Sequence, residues 1–187
     1  TKGQYILLSA HREENIDTDR NFLQLFTAVN AMAERYDMPI LYSCHPRSRK
    51  RLEATGFRLD SRVIAHEPLG FHDYNCLQMN AFAVVSDSGT LPEESSFFLS
   101  IGKPFPAVSI RTSTERPEAL DAGCFVLAGI DAESLLQGVK MAVQMQQEGC
   151  FGTPVADYTG ENVSMKAARL IQSYTGVVNK MVWRKGR

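Results

Sequence analysis

The ten residues from 86 to 95, which read SDSGTLPEES, have the composition of an anion-binding turn. An apolar run at 81–85 precedes them and is typical of a buried strand, and residues 95–99 continue as a helix. Backbone N–H groups at a helix start have no intrahelical partner and carry the positive end of the helix dipole, so a phosphate fits there. Gly89 also lets the backbone approach a ligand closely. The stretch therefore predicts a phosphate site at a strand-to-helix turn.

Two acidic residues in this turn, Glu93 and Glu94, need a separate explanation. A carboxylate repels a phosphate unless it binds another part of the same ligand, and a ribose diol is the obvious candidate. The alternative is an ordinary helix cap, because Pro92 and acidic residues both suit the first turn of a helix. On these ten residues alone both interpretations stay open.

Three further polar segments follow predicted strands, at 11–15, 44–47 and 111–118. Because the carboxyl ends of parallel strands meet at one edge of a sheet, we expect these segments to converge with the turn at 86–95. Together the four segments contain two histidines and four arginines, which favours a phosphorylated ligand over a merely solvated rim. The sequence contains neither a G-x-G-x-x-G nor a P-loop motif, which counts against dinucleotide oxidoreductases and P-loop enzymes.

Alternating strands and helices must position these segments. Apolar patterning predicts strands at 4–9, 39–43, 62–65, 81–85, 106–110 and 124–128, and helices at 19–36, 48–54, 71–80, 95–99, 131–147 and 161–183. The last helical pattern is predicted to break near Thr175 and Gly176. This alternation predicts an α/β fold, a Rossmann-like parallel sheet with helices on both faces, formed by a single domain over residues 1–187.

Composition limits the possible partners and sites. With 44% hydrophobic residues, 22% charged residues and a formal charge of −1, the sequence is that of a soluble globular protein without global attraction to nucleic acid or to an anionic membrane. No apolar run reaches transmembrane length and no signal peptide is visible, so we expect a cytoplasmic protein. The four histidines form no i, i+4 ligand pair of the zinc-protease kind, so no metal site is predicted.

The four cysteines are widely spaced and form no C-x-x-C pair. They are Cys44, Cys76, Cys124 and Cys150. This spacing favours buried free thiols in a reducing compartment over a disulfide framework.

Four ordered motifs resemble those of the UDP-N-acetylglucosamine 2-epimerase family. They are His11-Arg12-Glu13-Glu14-Asn15, His45-Pro46-Arg47, Asp87-Ser88-Gly89-Thr90 with Glu93-Glu94, and Thr114-Glu115-Arg116-Pro117-Glu118. The resemblance spans nearly the whole chain. Most members carry a second glycine at the position of Thr90 and a glutamine at that of Pro92. The form found here, with the tail at 161–164, is more similar to the branch that makes UDP-N-acetyl-L-fucosamine by 2-epimerisation.

The resemblance implies one half of a two-domain enzyme with the fold of B-type glycosyltransferases, with substrate held between two Rossmann-like domains. This chain matches the C-terminal half, and its last helix, at about 160–183, is expected to pack on the other half. The resemblance implies a UDP-sugar as the ligand, no cofactor and a homodimer of the full-length enzyme.

By motif position, the resemblance assigns contacts with UDP to seven residues: Arg12, His45, Tyr74, Ser88, Gly89, Glu94 and Arg116. Ser88 and Gly89 would donate to the diphosphate, and Arg116 would pair with phosphate through its planar guanidinium. Glu94 would accept from the ribose hydroxyls. Tyr74 would lie against the uracil or, alternatively, in the hydrophobic core.

His11 matches the active-site histidine of the family, where it would act as an acid/base or balance the charge on the leaving UDP. Glu14 and Arg111 are lesser candidates for the site. The chemistry implied is elimination of UDP followed by re-addition with inversion at C2, for which the required carboxylates lie in the other domain. The chain alone is therefore expected to bind UDP weakly and to have no turnover. Two rivals remain, the donor-binding half of a B-type glycosyltransferase and a non-catalytic nucleotide-sugar sensor.

Overall fold

A computed structural model describes residues 1–12, 15 and 18–185 of the chain. Its centre is a parallel sheet of six strands in the order β3-β2-β1-β4-β5-β6. The strands are β1 (Ile6–Ser9), β2 (Ile40–Ser43), β3 (Val63–His66), β4 (Ala83–Ser86), β5 (Ala107–Ile110) and β6 (Val126–Ala128). In the register, Ile6 of β1 lies opposite Ile40 of β2 on one side and Ala83 of β4 on the other.

Of the helices in the described residues, the first five connect successive strands and the last two follow β6. They are α1 (Asp19–Tyr36), α2 (Pro46–Thr55), α3 (Phe71–Asn80), α4 (Leu91–Ser100), α5 (Pro117–Asp121), α6 (Ala132–Gln147) and α7 (Val163–Met181), with a 3-10 helix at Ala156–Tyr158. The predicted fold class, a Rossmann-like parallel sheet with helices, is confirmed.

Two hydrophobic clusters cover the two faces of the sheet. Successive side chains of a strand point to opposite faces, so Ile6 and Leu8 of β1 join the cluster that contains α1 and α6. Leu7 joins the other cluster, which contains Leu91 and Phe98 of α4. Strands buried on both faces explain the continuous apolar runs of the sequence. The prediction of helices on both faces is confirmed.

The predicted elements differ from the observed ones at three places. Helix α5 and the 3-10 helix were not predicted, because both are short and lie in loops rich in small or polar residues. The predicted break near Thr175 and Gly176 was wrong, since α7 is continuous from Val163 to Met181. A glycine within a helix costs only about 1 kcal/mol relative to alanine. The Thr175 hydroxyl donates to Ile171 O at 2.5 Å, a bond made within the helix.

All four cysteines are free, as predicted, but they are not all buried. Cys44 is buried and Cys124 is half-buried, whereas Cys76 and Cys150 are exposed, so burial was wrong for these two. Across the described residues, no helix combines the length and the apolar character needed to cross a membrane.

Helix α7 is exposed along its whole length. None of its residues is buried, and its apolar face leaves Leu170 at 60% and Ile171 at 67% of their full exposure. Tyr174 and Met181 extend the same exposed surface. A continuous apolar surface of this kind marks an interaction site more often than a solvated one.

Candidate functional site

The candidate site lies where the order of the strands reverses. The chain runs from β1 outward to β2 and β3, then returns to β4 on the other side of β1. In open α/β sheets this arrangement leaves a crevice outside the carboxyl ends of the two central strands, and ligands bind there. His11 and Arg12 follow β1, and Asp87 follows β4, so both loops border this crevice.

A buried carboxylate, that of Asp87, joins the two loops. It is fully buried and accepts from the backbone N–H of His11 at 2.9 Å and of Arg12 at 2.8 Å. Asn15 Nδ2 donates to Asp87 Oδ2 at 3.1 Å and to Ile110 O, at the end of β5, at 3.0 Å. Hydrogen bonds to a buried charged acceptor are stronger than neutral ones, so this contact fixes the ends of three strands relative to one another.

One ring nitrogen of His11, Nδ1, contacts neighbouring polar groups. This nitrogen lies 3.5 Å from Asp87 Oδ1 and 3.3 Å from Ser9 Oγ. The side chain is nevertheless 45% exposed. This geometry leaves Nε2 as the ring nitrogen that can reach a ligand, and it can exchange a proton or donate a hydrogen bond there.

Three arginines surround the turn at 86–95, and each contacts a carboxylate. Arg12 Nη1 lies 3.4 Å and Arg111 Nη2 lies 3.1 Å from the same atom, Glu115 Oε1. The hydrogen bond and charge of Arg111, followed by the charge of Arg12, lower the pKa of the Glu115 carboxyl. Arg116 Nε lies 2.7 Å from Glu93 Oε1. The cationic groups of the site are therefore already paired when no ligand is bound.

Gly89 lies close to the side chains of Arg12 and Glu115. A Cβ atom built on Gly89 would stand 2.8 Å from Arg12 Nη2 and 3.5 Å from Glu115 Oε2. A side chain at this position would therefore displace the Arg12 guanidinium from its present place. Within the described part of the chain, the Gly89 amide N–H has no hydrogen-bond partner, whereas those of Ser88 and Thr90 donate to serine hydroxyls.

The carboxylate of Glu94 is held at both oxygens. The buried Gln78 donates to its Oε2 at 2.6 Å, and the exposed Thr90 hydroxyl donates to its Oε1 at 2.8 Å. The Thr90 hydroxyl also lies 3.0 Å from Ser88 Oγ. These contacts keep Glu94 at the start of α4, facing the turn.

Tyr74 of α3 belongs to the core and to the site at once. Its half-buried ring packs against the hydrophobic cluster that contains Leu91. Burial, followed by the charge of Glu94, raises the pKa of its hydroxyl to about 12, and the nearby Ser9 and Ser86 hydroxyls oppose the rise. The hydroxyl therefore lies among residues of the site and stays protonated at neutral pH.

Most predicted site residues come together at this edge of the sheet. They are His11, Arg12, Tyr74, Ser88, Gly89, Glu94, Arg111 and Arg116. His45 is exposed at the end of β2, where its Nδ1 accepts from the Arg47 N–H at 3.3 Å and caps α2. Glu14 lies outside the described residues.

Sequence reasoning missed the residues that hold the others in place, namely Asn15, Gln78, Asp87, Thr90 and Glu115. A signal existed for Asp87, because an acidic residue directly after a buried strand needs partners in the fold. Among the described residues, no group of three or more His, Cys, Asp or Glu side chains is arranged to hold a metal ion.

Comparison with known proteins identifies one family. A family model described as UDP-N-acetylglucosamine 2-epimerase matches residues 1–172. The UDP-N-acetylglucosamine 2-epimerase of Methanococcus maripaludis is 36% identical over 162 residues, which are 84% of this chain and 42% of that protein.

Two solved structures agree with this match. The structure of UDP-N-acetylglucosamine 2-epimerase from Rickettsia bellii is 36% identical, superposes with a TM-score of 0.81, and matches 99% of this chain but 48% of its own. The Methanocaldococcus jannaschii UDP-GlcNAc 2-epimerase, in complex with UDP-GlcNAc and UDP, is 28% identical, with a TM-score of 0.75 over 91% of this chain and 45% of its own. The chain thus spans somewhat less than half the length of these relatives.

Proposed function

Because the chain belongs to the UDP-N-acetylglucosamine 2-epimerase family, we propose that it is the UDP-binding half of a UDP-N-acetylhexosamine 2-epimerase. The order of its motifs and its share of the relatives' length support its equivalence to their C-terminal half. On this proposal α7 packs against the other half, which would cover the apolar surface around Leu170 and Ile171. The full-length enzyme would be a homodimer.

The observation that carries the proposal is the position of the arginines and the turn at 86–95. Arg12, Gly89 and Glu115 approach one another at the crevice between β1 and β4, although they lie up to 103 residues apart in the sequence. A diphosphate there would meet the N–H of Gly89, the start of α4 and nearby guanidinium groups. These are the donors that stabilise a leaving diphosphate.

The remaining contacts divide between the nucleoside and the phosphates. Glu94, held at the start of α4, would accept from the ribose diol. Tyr74 would lie against the uracil. Arg116 would pair with phosphate once it leaves Glu93, and Ser88 would donate to the diphosphate. Arg111 and His45 would have lesser roles, and Arg12 would bind the diphosphate directly.

Local electrostatics support weak affinity for UDP. The three arginines of the site pair with Glu93 and Glu115, and the site contains two further carboxylates, Asp87 and Glu94. A diphosphate must therefore exchange with carboxylates for its guanidinium contacts and gains no net positive field. The chain alone should bind UDP in the millimolar range.

The reaction proposed for the full-length enzyme is elimination of UDP from the sugar, followed by re-addition with inversion at C2. His11 would donate to the leaving phosphate through Nε2, because Nδ1 faces Asp87 and Ser9. The base that removes the C2 proton would come from the other half. The motif resemblance favours the UDP-N-acetyl-L-fucosamine-forming branch, and the isolated chain would have no turnover.

Calorimetric titration of the folded chain with UDP tests the binding. Wild type should give saturable heat at millimolar UDP, and Arg12→Ala should weaken binding about tenfold, the value of a charged hydrogen bond. Arg169→Ala, which removes the same charge from α7, is the matched control and should bind like wild type. Wild-type protein that is folded but releases no heat would refute the proposal.

The full-length enzyme distinguishes epimerase from glycosyltransferase. Incubated with a UDP-N-acetylhexosamine and no acceptor, an epimerase equilibrates two UDP-sugars that differ at C2. A glycosyltransferase leaves the substrate unchanged under the same conditions, and a nucleotide-sugar sensor binds it without conversion.

A further inference from the structure

Three oxygen atoms at the start of α4 form a hydrogen-bonded chain. Ser88 Oγ lies 3.0 Å from Thr90 Oγ1, and Thr90 Oγ1 donates to Glu94 Oε1 at 2.8 Å. A hydroxyl has a single proton, and a carboxylate can only accept. Because the Thr90 proton is used on Glu94, Ser88 must be the donor to Thr90. The protons therefore point from Ser88 through Thr90 to Glu94.

This order has a consequence for the anion site. The Ser88 hydroxyl proton points toward Thr90, so it is not available to a phosphate while the chain of bonds is intact. The Ser88 backbone N–H is also used, since it donates to Ser86 Oγ at 3.0 Å. While its proton lies on Thr90, Ser88 presents only lone pairs to a diphosphate, and lone pairs repel an anion.

The two donors to Glu94 differ in how easily a ligand can replace them. Gln78 is fully buried and donates to Oε2, so it anchors the carboxylate from within the protein. Thr90 is exposed and donates to Oε1 from the solvent side. A hydroxyl that arrives from solvent therefore competes with Thr90, while Gln78 keeps Glu94 in position.

We propose that Thr90 couples recognition of a ribose diol at Glu94 to recognition of a diphosphate at Ser88. The inference rests on the proposed function and specifies how its site selects ligands. When the ribose hydroxyls donate to Glu94, Thr90 is released, and the Ser88 proton becomes free to turn toward the diphosphate. A ligand without the diol leaves Thr90 on Glu94, where Thr90 competes with the phosphate for the Ser88 proton.

The test compares UDP with 2′,3′-dideoxy-UDP on wild type, Thr90→Val and Thr90→Ser. Valine keeps the shape of threonine but has no hydroxyl, so Ser88 is released whether or not a diol is present. Thr90→Val should bind dideoxy-UDP roughly fivefold more tightly than wild type does, the net value of the one hydroxyl–hydroxyl hydrogen bond that wild type must give up. Its affinity for UDP should also rise, because the ribose no longer has to displace Thr90 from Glu94. Thr90→Ser keeps the hydroxyl and should bind both ligands like wild type.

A second substitution identifies Ser88 as the group that is released. In a Ser88→Ala background, Thr90→Val should leave the affinity for dideoxy-UDP unchanged, as in a double-mutant cycle between coupled residues. Because Thr90 is exposed, the valine variant should fold normally.

The outcomes separate this inference from the proposed function. If Thr90→Val leaves the affinity for dideoxy-UDP unchanged or lowers it, the coupling is refuted while UDP binding by wild type still stands. If folded wild type binds neither ligand, the proposed function fails and the coupling fails with it. A gain for dideoxy-UDP in Thr90→Val that persists in the Ser88→Ala background would also refute the coupling, because Ser88 would then not be the released donor.

Discussion

The side chains at the sheet edge around Asp87 and those on the surface of α7 differ in their contacts with the rest of the protein. Asp87 is fully buried, and each of its oxygens accepts hydrogen bonds from the loop after β1. Helix α7 has no buried residue, and most of its apolar side chains are exposed in the described part of the chain. One region completes its contacts within the described residues, and the other does not.

This difference indicates which properties the chain can have alone. A polar site whose buried carboxylate accepts several hydrogen bonds is rigid and preorganised, so ligand binding at the sheet edge should need no further domain. An exposed apolar helix gains free energy only when a partner covers it. We therefore expect nucleotide binding to belong to this chain, and catalysis to require the partner of α7.

The largest expected effect comes from removing the Asp87 carboxylate. Asp87→Ala removes the acceptor of the part-buried N–H groups of His11 and Arg12 and one of the two acceptors of Asn15 Nδ2, and each lost bond costs about 1–3 kcal/mol. The free energy of unfolding should fall by at least about 3 kcal/mol in urea denaturation.

The exposed Asp157 provides the matched control for this substitution. Asp157→Ala removes the same group and should change stability by less than about 0.5 kcal/mol. Equal stability of the two variants would show that the Asp87 contacts do not hold the sheet edge together.

Much of this edge follows from the sequence, because apolar runs mark the strands and polar residues mark their carboxyl ends. His11, Ser88 and Arg116 meet at one edge because parallel strands end on the same side of a sheet. The pairing of Arg116 with Glu93 could not be predicted, since the two residues lie 23 positions apart and meet only through the packing of α4 and α5.

The sequence did not reveal the role of Asp87 for a different reason. Its neighbours suggested a helix cap, and a cap and a buried acceptor use the same residue type. Only the position of the loop after β1, where two consecutive N–H groups face Asp87, distinguishes the two roles. The helical period of α7 was evident from the sequence. Gly176 suggested a break, but the helix continues through this position.

An intermediate effect on stability is expected at the start of α6, because α6 has a side-chain cap and α7 has none. The Asp131 side chain accepts from the Ser134 N–H at 2.9 Å and caps α6, whereas Asn162, at the start of α7, makes no capping bond. Asp131→Ala should cost about 1 kcal/mol at neutral pH, and Asp131→Asn, which keeps the cap, should cost less.

The same cap predicts a dependence on pH. The backbone hydrogen bond from Ser134 lowers the pKa of the Asp131 carboxyl in the folded protein. Its contribution is therefore complete above the ordinary pKa of an aspartate and is lost as the pH falls through the lowered value. The stability difference between wild type and Asp131→Ala should be constant near pH 7 and should shrink below about pH 4. A difference that grows on acidification would contradict this account of the cap.

The smallest effect on stability is expected on α7. Leu170→Gln with Ile171→Gln replaces two exposed apolar side chains and should change the free energy of unfolding by less than about 0.5 kcal/mol. Sedimentation should show less self-association than in wild type, because the apolar surface is smaller. In the buried face of α6, Leu135→Gln is the contrasting control and should cost several kcal/mol, as burial of an unpaired amide does. A large loss of stability in the α7 variant would mean that α7 packs within this chain.

The central claim, that the sheet edge of this chain binds a nucleoside diphosphate by itself, is tested most directly by following backbone amide resonances during titration with UDP. The account predicts one saturable set of shifts at Arg12, Ser88, Gly89 and Glu94, with the amides of α7 unchanged. Shifts confined to the amides around Leu170 and Ile171, or no shifts at the sheet edge at millimolar UDP, would contradict it.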